Sequence, residues 1–228
     1  MAVPLLKLDA YDVVVERGAI ERAGEYIGRK PFVVTTGVVW QHQGARLERG
    51  LAATGFTRID MPDGEEHKRL ATLEGLAGRL LAAGADRSSL LVAFGGGVVN
   101  DVGGFLAAVY MRGIEVVQIP TTLLAQVDAA IGGKTGVNLA DGKNLVGAFH
   151  QPRLVLIDPA ALDTLPEREY HAGLYEVIKC AIIASPGLFA LLRDRRDDVL
   201  LRSPDVVDEL IAESVRIKAR VVDRKSVV

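Results

Sequence analysis

Residues 90–101 read Leu90-Leu91-Val92-Ala93-Phe94-Gly95-Gly96-Gly97-Val98-Val99-Asn100-Asp101. The first five are apolar without alternation, as is typical of a strand buried on both faces of a sheet. The three glycines that follow allow a sharp turn of the backbone, and residues 98–109 have the composition of a helix. A strand, a tight turn and a helix in this order predict one unit of a parallel α/β sheet.

The same pattern extends outward in both directions from this unit. Further strand-like apolar stretches occupy residues 12–15, 31–35, 58–61, 115–119 and 154–157. Between them lie helical stretches such as residues 70–83, which carry Leu73, Leu76, Leu80 and Leu81 at helical spacing. We therefore predict an α/β fold, in which residues 1–160 form an N-terminal Rossmann-like parallel-sheet domain.

After residue 157 helix follows helix. Thr164 and Glu167 have the spacing of a capping box, which predicts the start of a helix over residues 167–183. A second helix is predicted from Ser203-Pro204 toward Lys218. Residues 161–222 are therefore expected to begin an all-helical second domain.

The composition excludes several classes of protein. A formal net charge of −2 gives no bulk attraction to nucleic acid or to anionic membranes. No apolar run approaches the roughly 20 residues needed to span a bilayer, and the first residues lack the pattern of a signal peptide. The single cysteine, Cys180, suits a reducing compartment and is expected to be a small core residue. We expect a cytoplasmic protein that binds neither nucleic acid nor membranes.

The glycine turn at the start of the helix suits a pyrophosphate group, because the first backbone N–H groups of a helix attract anions. The match to a dinucleotide fingerprint is imperfect, since Asn100 stands at the third glycine position, so a plain tight turn stays open as an alternative. The segment Gly132-Gly133-Lys134-Thr135 resembles the end of a P-loop, but Asp128 occupies the position of the required first glycine. A true P-loop is therefore excluded.

Other polar residues suggest a site near the strand ends. Asp128, Lys134, Lys143 and Asn144 lie in one glycine-rich segment, predicted to be irregular, that either folds over a ligand or is a solvated loop. Glu176 and Lys179 share a helix face, where they form either an exposed ion pair or part of a metal site. One carboxylate is not a zinc site, and the four histidines show no ligand spacing.

Taken together and in this order, the motifs of the chain resemble those of the 3-dehydroquinate synthase family, within the sugar-phosphate cyclase group. The motifs are Asp63-Gly64-Glu65-Glu66-His67-Lys68, residues 95–101, Tyr110-Met111-Arg112-Gly113, residues 120–128, residues 131–138, residues 142–152, and Ala172-Gly173-Leu174-Tyr175-Glu176-Val177-Ile178-Lys179.

The resemblance implies NAD as a cofactor, bound by residues from several motifs. They are Asp63, Gly64, Glu65, Glu66, His67 and Lys68; Gly97, Val98, Val99, Asn100 and Asp101; Thr121, Thr122 and Lys143; and Ala161, Leu162, Asp163 and Thr164. It also implies a divalent metal, Zn²⁺ or Co²⁺, with Glu176 as the first ligand.

The resemblance further implies how the substrate is held. Lys134 would meet its carboxylate, Asp128 and Lys218 would lie near the ring hydroxyls, and Asn144 and Lys179 would hold its phosphate. Arg112 would reach this site from a second subunit, which implies a homodimer.

The implied activity is that of a lyase of the shikimate pathway. It converts 3-deoxy-D-arabino-heptulosonate 7-phosphate to 3-dehydroquinate and phosphate, and NAD is regenerated in each turnover. The alternatives are another sugar-phosphate cyclase, of the aminocyclitol or valiolone type, or a non-catalytic NAD-binding fragment.

The chain departs from the family pattern at four places. Thr36 stands where the family usually carries an aspartate, Asn100 where glycine is common, and Tyr175 where a small residue is usual. After Lys218 the chain lacks the helix that supplies two histidine ligands, and residues 223–228 match the translation of a sequencing-adapter sequence. We therefore expect an incomplete helical domain, a non-native tail at 223–228, an inactive fragment, and apolar surface left open at Val177, Ile178, Ile182 and Ile211.

Overall fold

The computed structural model describes residues 6–7 and 10–225, with side chains for residues 10–222. The strands are β1 (Leu6–Lys7), β2 (Asp12–Val15), β3 (Phe32–Thr36), β4 (Thr57–Met61), β5 (Leu90–Gly95), β6 (Glu115–Pro120), β7 (Lys134–Leu139), β8 (Gly142–Phe149) and β9 (Leu154–Ile157). The α-helices are α1 (Ala23–Ile27), α2 (Gly37–Gly50), α3 (Leu70–Ala82), α4 (Gly97–Val109), α5 (Glu167–Ala184), α6 (Pro186–Asp194), α7 (Arg196–Leu200) and α8 (Pro204–Lys225).

Seven strands form the main sheet in the order β1-β2-β9-β6-β5-β3-β4. All neighbours are parallel except β1 and β2. From β3 the chain first adds β4 on one side and then returns to place β5 on the other. The strand order therefore reverses between β3 and β5, and in open α/β sheets ligands bind at the carboxyl ends of the strands at such a point. The predicted α/β fold is confirmed.

The continuous apolar run of β5 is explained by helices on both faces of the sheet. Leu90, Val92 and Phe94 belong to a core shared with α1 and α2. Leu91 and Ala93 belong to a core shared with α3 and α4 on the opposite face. The strand β5, which ends at the glycine turn, is therefore held between two packed layers.

The segment predicted to be irregular is instead an antiparallel hairpin of β7 and β8. Val137, Val146 and Ala148 face the core beside α4, whereas Leu145 and Phe149 are exposed. Gly136 and Gly147 lie opposite each other, and a Cβ on Gly147 would overlap the backbone of Thr135. The glycines that suggested a loop are therefore required by close approach of two strands.

The helices after β9 pack on the same sheet. Val177 and Ile211 are fully buried in a core that also contains Val13 and Val155, so the expectation that they would be exposed is wrong. Ile178 and Ile182 are exposed, as expected. Among the described residues, no helix has the length and apolar character needed to cross a bilayer. The helical backbone of α8 continues to Lys225. A non-native tail was expected over residues 223–228, and residues 226–228 of that segment lie outside the described residues.

The predicted capping box of Thr164 and Glu167 is also wrong. The helix α5 begins after Pro166, and no side chain caps its first turn. The Thr164 hydroxyl instead accepts a hydrogen bond from Gln43 Nε2 at 2.6 Å, because Thr164 ends a separate 3₁₀ turn over Pro159–Thr164. A tertiary partner on α2 thus outcompetes the local cap.

Asp158 joins the sheet to the surrounding segments. Its side chain is fully buried and directly follows β9. Its oxygens accept hydrogen bonds from the backbone N–H groups of Gly18 (3.0 Å), Ile20 (3.2 Å) and Ala160 (3.0 Å), and from the Arg46 guanidinium (2.6 Å). One carboxylate thereby satisfies three backbone donors and one cation from three separate parts of the chain.

Candidate functional site

The candidate site begins where β5 ends. Gly96 precedes the first turn of α4, and no side chain caps that turn. The N–H groups of Gly97, Val98 and Val99 therefore have no partner inside the helix, while that of Asn100 donates to Gly96 O at 3.0 Å. These donors, together with the positive end of the helix dipole, form a cradle for an anion.

The turn needs glycine because it lies against the segment after β6. A Cβ on Gly96 would meet Thr122 Cγ2 at 3.0 Å, and the Thr121 N–H donates to Gly95 O at 2.9 Å. Thr121 and Thr122 therefore border the cradle, and their contact with a cofactor stays a prediction. The donor set and the close approach fit the pyrophosphate of a dinucleotide.

Asn100 differs from the other predicted cofactor residues. Its side chain is 1% exposed, and its Nδ2 donates to Ala93 O at 3.2 Å. Asn100 thus links α4 to β5 from within the core. Its predicted contact with a cofactor stays a prediction.

The loop over residues 63–68 lies beside the same end of α4. Gly64 has φ +106°, a conformation that favours glycine, and a 3₁₀ turn follows at Glu65–His67. Asp63, Glu65 and Glu66 are exposed. Lys68 is buried, and its ammonium is bound by the Asp101 carboxylate and by Asn144 Oδ1.

A cavity of about 440 Å³ opens next to this loop. Its wall carries the polar residues Asp101, Asp128, Lys134, Thr135, Asn144 and Lys218. Burial raises the pKa of Asp101 above the ordinary carboxyl value, although the Lys68 ammonium acts in the opposite direction. Four residues that sequence analysis assigned to substrate binding therefore line one cavity: Asp128, Lys134, Asn144 and Lys218.

Two ion pairs involve lysines of the helices α5 and α8. Lys218 on α8 pairs with Asp128, and Lys179 pairs with Glu176 one turn away on α5. The hydrogen bond that Lys179 donates to the Glu176 carboxylate raises the pKa of Lys179, and the charge of Asp128 adds to this effect. Neither Lys179 nor Glu176 lines the cavity itself.

The remaining predicted residues lie farther from the cavity wall. Arg112 is exposed with φ +72°, and it does not line the cavity in this chain. Ala161 and Leu162 are buried in the 3₁₀ turn, whereas Asp163 and Thr164 are exposed at its end. Lys143 is exposed, with its Nζ 3.5 Å from Glu65 Oε1.

The structural roles of two residues, Asn138 and Thr36, were not found by sequence reasoning. Asn138 accepts from the Asn144 N–H at 2.9 Å and donates through Nδ2 to Glu65 Oε1 at 2.9 Å. Thr36 accepts from the Val39 N–H at 3.3 Å and caps α2. A threonine directly before a helix is a local signal for the cap, whereas the role of Asn138 depends on contacts across the fold.

Comparison with known families agrees with the motifs. Two family models match in succession: 3-dehydroquinate synthase N-terminal over residues 58–172, and 3-dehydroquinate synthase C-terminal over residues 173–226. The chain belongs to the 3-dehydroquinate synthase family. A curated 3-dehydroquinate synthase from Solibacter usitatus is 60% identical over 215 residues, which cover 93% of this chain and 60% of the relative. The chain thus spans about 60% of the length of the curated relatives that it matches.

Solved structures of sugar-phosphate cyclases share the fold of this member of the 3-dehydroquinate synthase family. The 2-epi-5-epi-valiolone synthase of Streptomyces hygroscopicus, with NAD⁺ and Zn²⁺ bound, has a TM-score of 0.87 and 31% identity over 95% of this chain and 62% of that one. A 2-deoxy-scyllo-inosose synthase complexed with carbaglucose-6-phosphate, NAD⁺ and Co²⁺ has a TM-score of 0.84 and 29% identity over 93% and 61%.

The described residues of this 3-dehydroquinate synthase family member do not fit a metal ion on their own. They contain no group of three or more His, Cys, Asp or Glu side chains placed to hold a metal. Glu176 is a single carboxylate, and it is already paired with Lys179. Catalytic zinc sites use three protein ligands, so the donor set in this part of the chain is insufficient.

Cys180 is expected to be a slowly reacting thiol. It is buried among α5 and α8 residues, and burial raises its pKa above the ordinary thiol value. Less thiolate is therefore present at pH 8, and access is restricted. Reaction with 5,5′-dithiobis(2-nitrobenzoate) at pH 8 should be at least about tenfold slower in the native chain than in guanidinium chloride. Equal rates in both would show that Cys180 is accessible.

Proposed function

We propose that the chain is the NAD-binding and substrate-binding part of a 3-dehydroquinate synthase. The single observation that supports this most is the cavity in which Asp128, Lys134, Asn144 and Lys218 converge beside the uncapped N-terminus of α4. The whole enzyme would convert 3-deoxy-D-arabino-heptulosonate 7-phosphate to 3-dehydroquinate and phosphate, in the shikimate pathway. It would be a carbon–oxygen lyase that undergoes no net redox change.

In this proposal the cofactor is NAD, which when bound supplies reversible hydride transfer. The N–H groups of Gly97, Val98 and Val99 donate to its pyrophosphate, and Thr121 and Thr122 border it. The loop over residues 63–68, Lys143 and residues 161–164 surround the rest of the molecule. Thr36 carries a hydroxyl, which caps α2, where the family usually carries an aspartate. The position therefore offers no carboxylate to the adenosine ribose.

The substrate is an anion at both ends, and the chain offers cations for both. Lys134 is exposed at the cavity wall and balances the carboxylate charge. Asn144 and Lys179 hold the phosphate by donation from an amide and an ammonium group. Asp128 accepts from a ring hydroxyl, while the paired Lys218 holds the Asp128 side chain in place.

The metal and the second subunit belong to the proposal for the whole enzyme. Glu176 would be one ligand of a divalent ion, and we derive no catalytic step through that ion because the described residues supply no complete site. Arg112, which does not line the cavity of its own chain, would serve the site of a second copy in a homodimer. Residues 1–160 would form the NAD-binding domain, and residues 161–222 would form the start of the helical domain.

Another sugar-phosphate cyclase activity is the second candidate. It is favoured by the two solved neighbours, which are a valiolone synthase and an inosose synthase at 31% and 29% identity. The 60% identity to a curated 3-dehydroquinate synthase favours the first candidate.

A chimera tests the proposed activity. Residues 1–222 are fused to the remaining C-terminal segment of the Solibacter usitatus relative, and phosphate release is measured with NAD and Zn²⁺. We expect release from 3-deoxy-D-arabino-heptulosonate 7-phosphate at least about 100-fold faster than from the sugar phosphates used by the other cyclases, since unmatched polar groups in the site reject the wrong sugar.

The 228-residue chain alone is the matched comparison. We expect no detectable phosphate release from it, because a single carboxylate does not hold zinc productively. Release at the rate of the chimera would contradict this expectation. A chimera that prefers another sugar phosphate would replace the first candidate with the second.

A further inference from the structure

Lys68 is the most enclosed charged side chain at the candidate site. It is 5% exposed, and its ammonium donates to Asp101 Oδ2 and to Asn144 Oδ1, the latter at 2.5 Å. Both acceptors belong to residues that line the cavity. A lysine bound in this way is less available to an incoming ligand than the exposed Lys134 and Lys143.

The chemistry of the ammonium group fixes the orientation of the Asn144 amide. An ammonium can only donate, so the atom of Asn144 that faces Lys68 must be the oxygen. The other atom of the amide is therefore Nδ2, which can only donate. It has no protein partner among residues 10–222, whose side chains the structure describes, and Asn144 lies on the cavity wall.

The backbone around Asn144 is tied to the same loop. Asn144 has φ +57°, and its N–H donates to Asn138 Oδ1 at 2.9 Å. The Asn138 N–H donates in turn to Lys68 O at 2.7 Å. Residue 144 is therefore connected to residue 68 through both its side chain and its backbone, and these contacts compensate for its unfavourable conformation.

We propose that Lys68 is a positioning residue, which holds the Asn144 amide so that Nδ2 donates into the cavity toward an oxyanion such as a phosphoryl group. Lys68 acts on the anion through Asn144. The orienting role depends only on the contacts above. The identity of the anion rests on the proposed function.

The first experiment measures orientation without any ligand. In the ¹⁵N-labelled 228-residue chain, the Asn144 side-chain amide signals are assigned by their loss in Asn144→Asp. We expect Lys68→Met to shift this pair and to speed hydrogen exchange of the Asn144 backbone amide by at least about tenfold. Lys30→Met, which removes an exposed lysine outside the site, should change neither.

A second variant covers the case in which Lys68→Met does not fold. Lys68→Met leaves the Asp101 carboxylate without its cation, whereas the double change Lys68→Met with Asp101→Asn removes that charge as well. The same loss of amide order is expected in the double variant. Lys68→Arg, which keeps a donor at this position, should restore the Asn144 signals.

The third measurement is the dissociation constant for inorganic phosphate. We expect Lys68→Met to weaken binding at least about fivefold, and Lys68→Met with Asn144→Ala to be no weaker than Asn144→Ala alone. Such non-additivity is expected only if Lys68 acts through Asn144. If the two substitutions weaken phosphate binding by factors that multiply in the double variant, Lys68 contacts the anion directly, and the proposal is overturned.

The outcomes separate this inference from the proposed function. If the unchanged chain binds no phosphate, the proposed phosphate site fails in this chain, and the ligand-free amide measurement still decides the role of Lys68. Unchanged Asn144 signals and exchange in both Lys68→Met variants would overturn the inference, whatever the affinity for phosphate.

Discussion

Replacing Asp158 with alanine is expected to lower the free energy of unfolding by about 3–5 kcal/mol, since it breaks a buried pair and leaves buried donors unpaired. The carboxylate is fully buried, and it accepts from Gly18, Ile20, Ala160 and Arg46. Arg46 retains its ion pair with Glu21, but the backbone N–H groups have no substitute acceptor. Equilibrium unfolding in urea, followed by circular dichroism, measures the change.

Asp141→Ala is the matched control for this prediction. Asp141 is exposed in the turn between β7 and β8, so its replacement should change stability by less than about 0.5 kcal/mol. The loss of stability in Asp158→Asn should fall between those of Asp158→Ala and Asp141→Ala, because asparagine keeps one acceptor oxygen. A loss of less than about 1 kcal/mol for Asp158→Ala would show that water or neighbouring groups replace the carboxylate.

Gly97→Asp is expected to weaken NAD binding by roughly 100-fold. A Cβ at position 97 would lie 3.5 Å from the Ala129 Cβ, an ordinary contact on the cavity side of the turn. A carboxylate there would stand about 5 Å from a pyrophosphate in the cradle, where repulsion at an effective dielectric constant near 20 is about 3 kcal/mol. The fold should remain intact, because an acidic residue in the first turn of a helix is favourable.

Gly97→Asn is the control for shape, since it matches aspartate in size and lacks the charge. We expect its dissociation constant for NAD to stay within about fivefold of that of the unchanged chain, because a neutral side chain adds no charge repulsion. Isothermal titration calorimetry measures the dissociation constant for NAD of all three proteins. Higher salt should reduce the difference in dissociation constant between the two variants, because it screens the charge repulsion. Equal weakening by aspartate and asparagine would assign the effect to crowding, and no weakening by either would place the pyrophosphate elsewhere.

The central sheet was predictable because its signals are local. The strands β5, β6 and β9 are mainly apolar runs flanked by turn residues, a composition typical of strands that are buried on both faces. The hairpin of β7 and β8 was missed because its glycines, Lys134 and Asn144 are typical of loops. Its strands exist because Gly136 and Gly147 allow close pairing and because Val137 packs beside α4.

The candidate site was predictable only in part. Its motifs indicate a site that contains Asp128, Lys134 and Asn144, and these three residues line one cavity. The sequence could not indicate that Lys68 is bound by Asp101 and Asn144, because these contacts join residues 33 and 76 positions apart. The failed cap at Thr164 has the same cause, since its partner Gln43 is 121 positions away.

Backbone amide shifts during an NAD titration test the central claim most directly, which is that the N-terminus of α4 and the loop at 63–68 hold a dinucleotide. In the ¹⁵N-labelled 228-residue chain, we predict that the largest shifts fall on Gly97, Val98, Val99 and the amides of residues 63–68. They should saturate together and disappear in Gly97→Asp. Saturable shifts confined to another part of the chain, or no shift at millimolar NAD, would contradict the account.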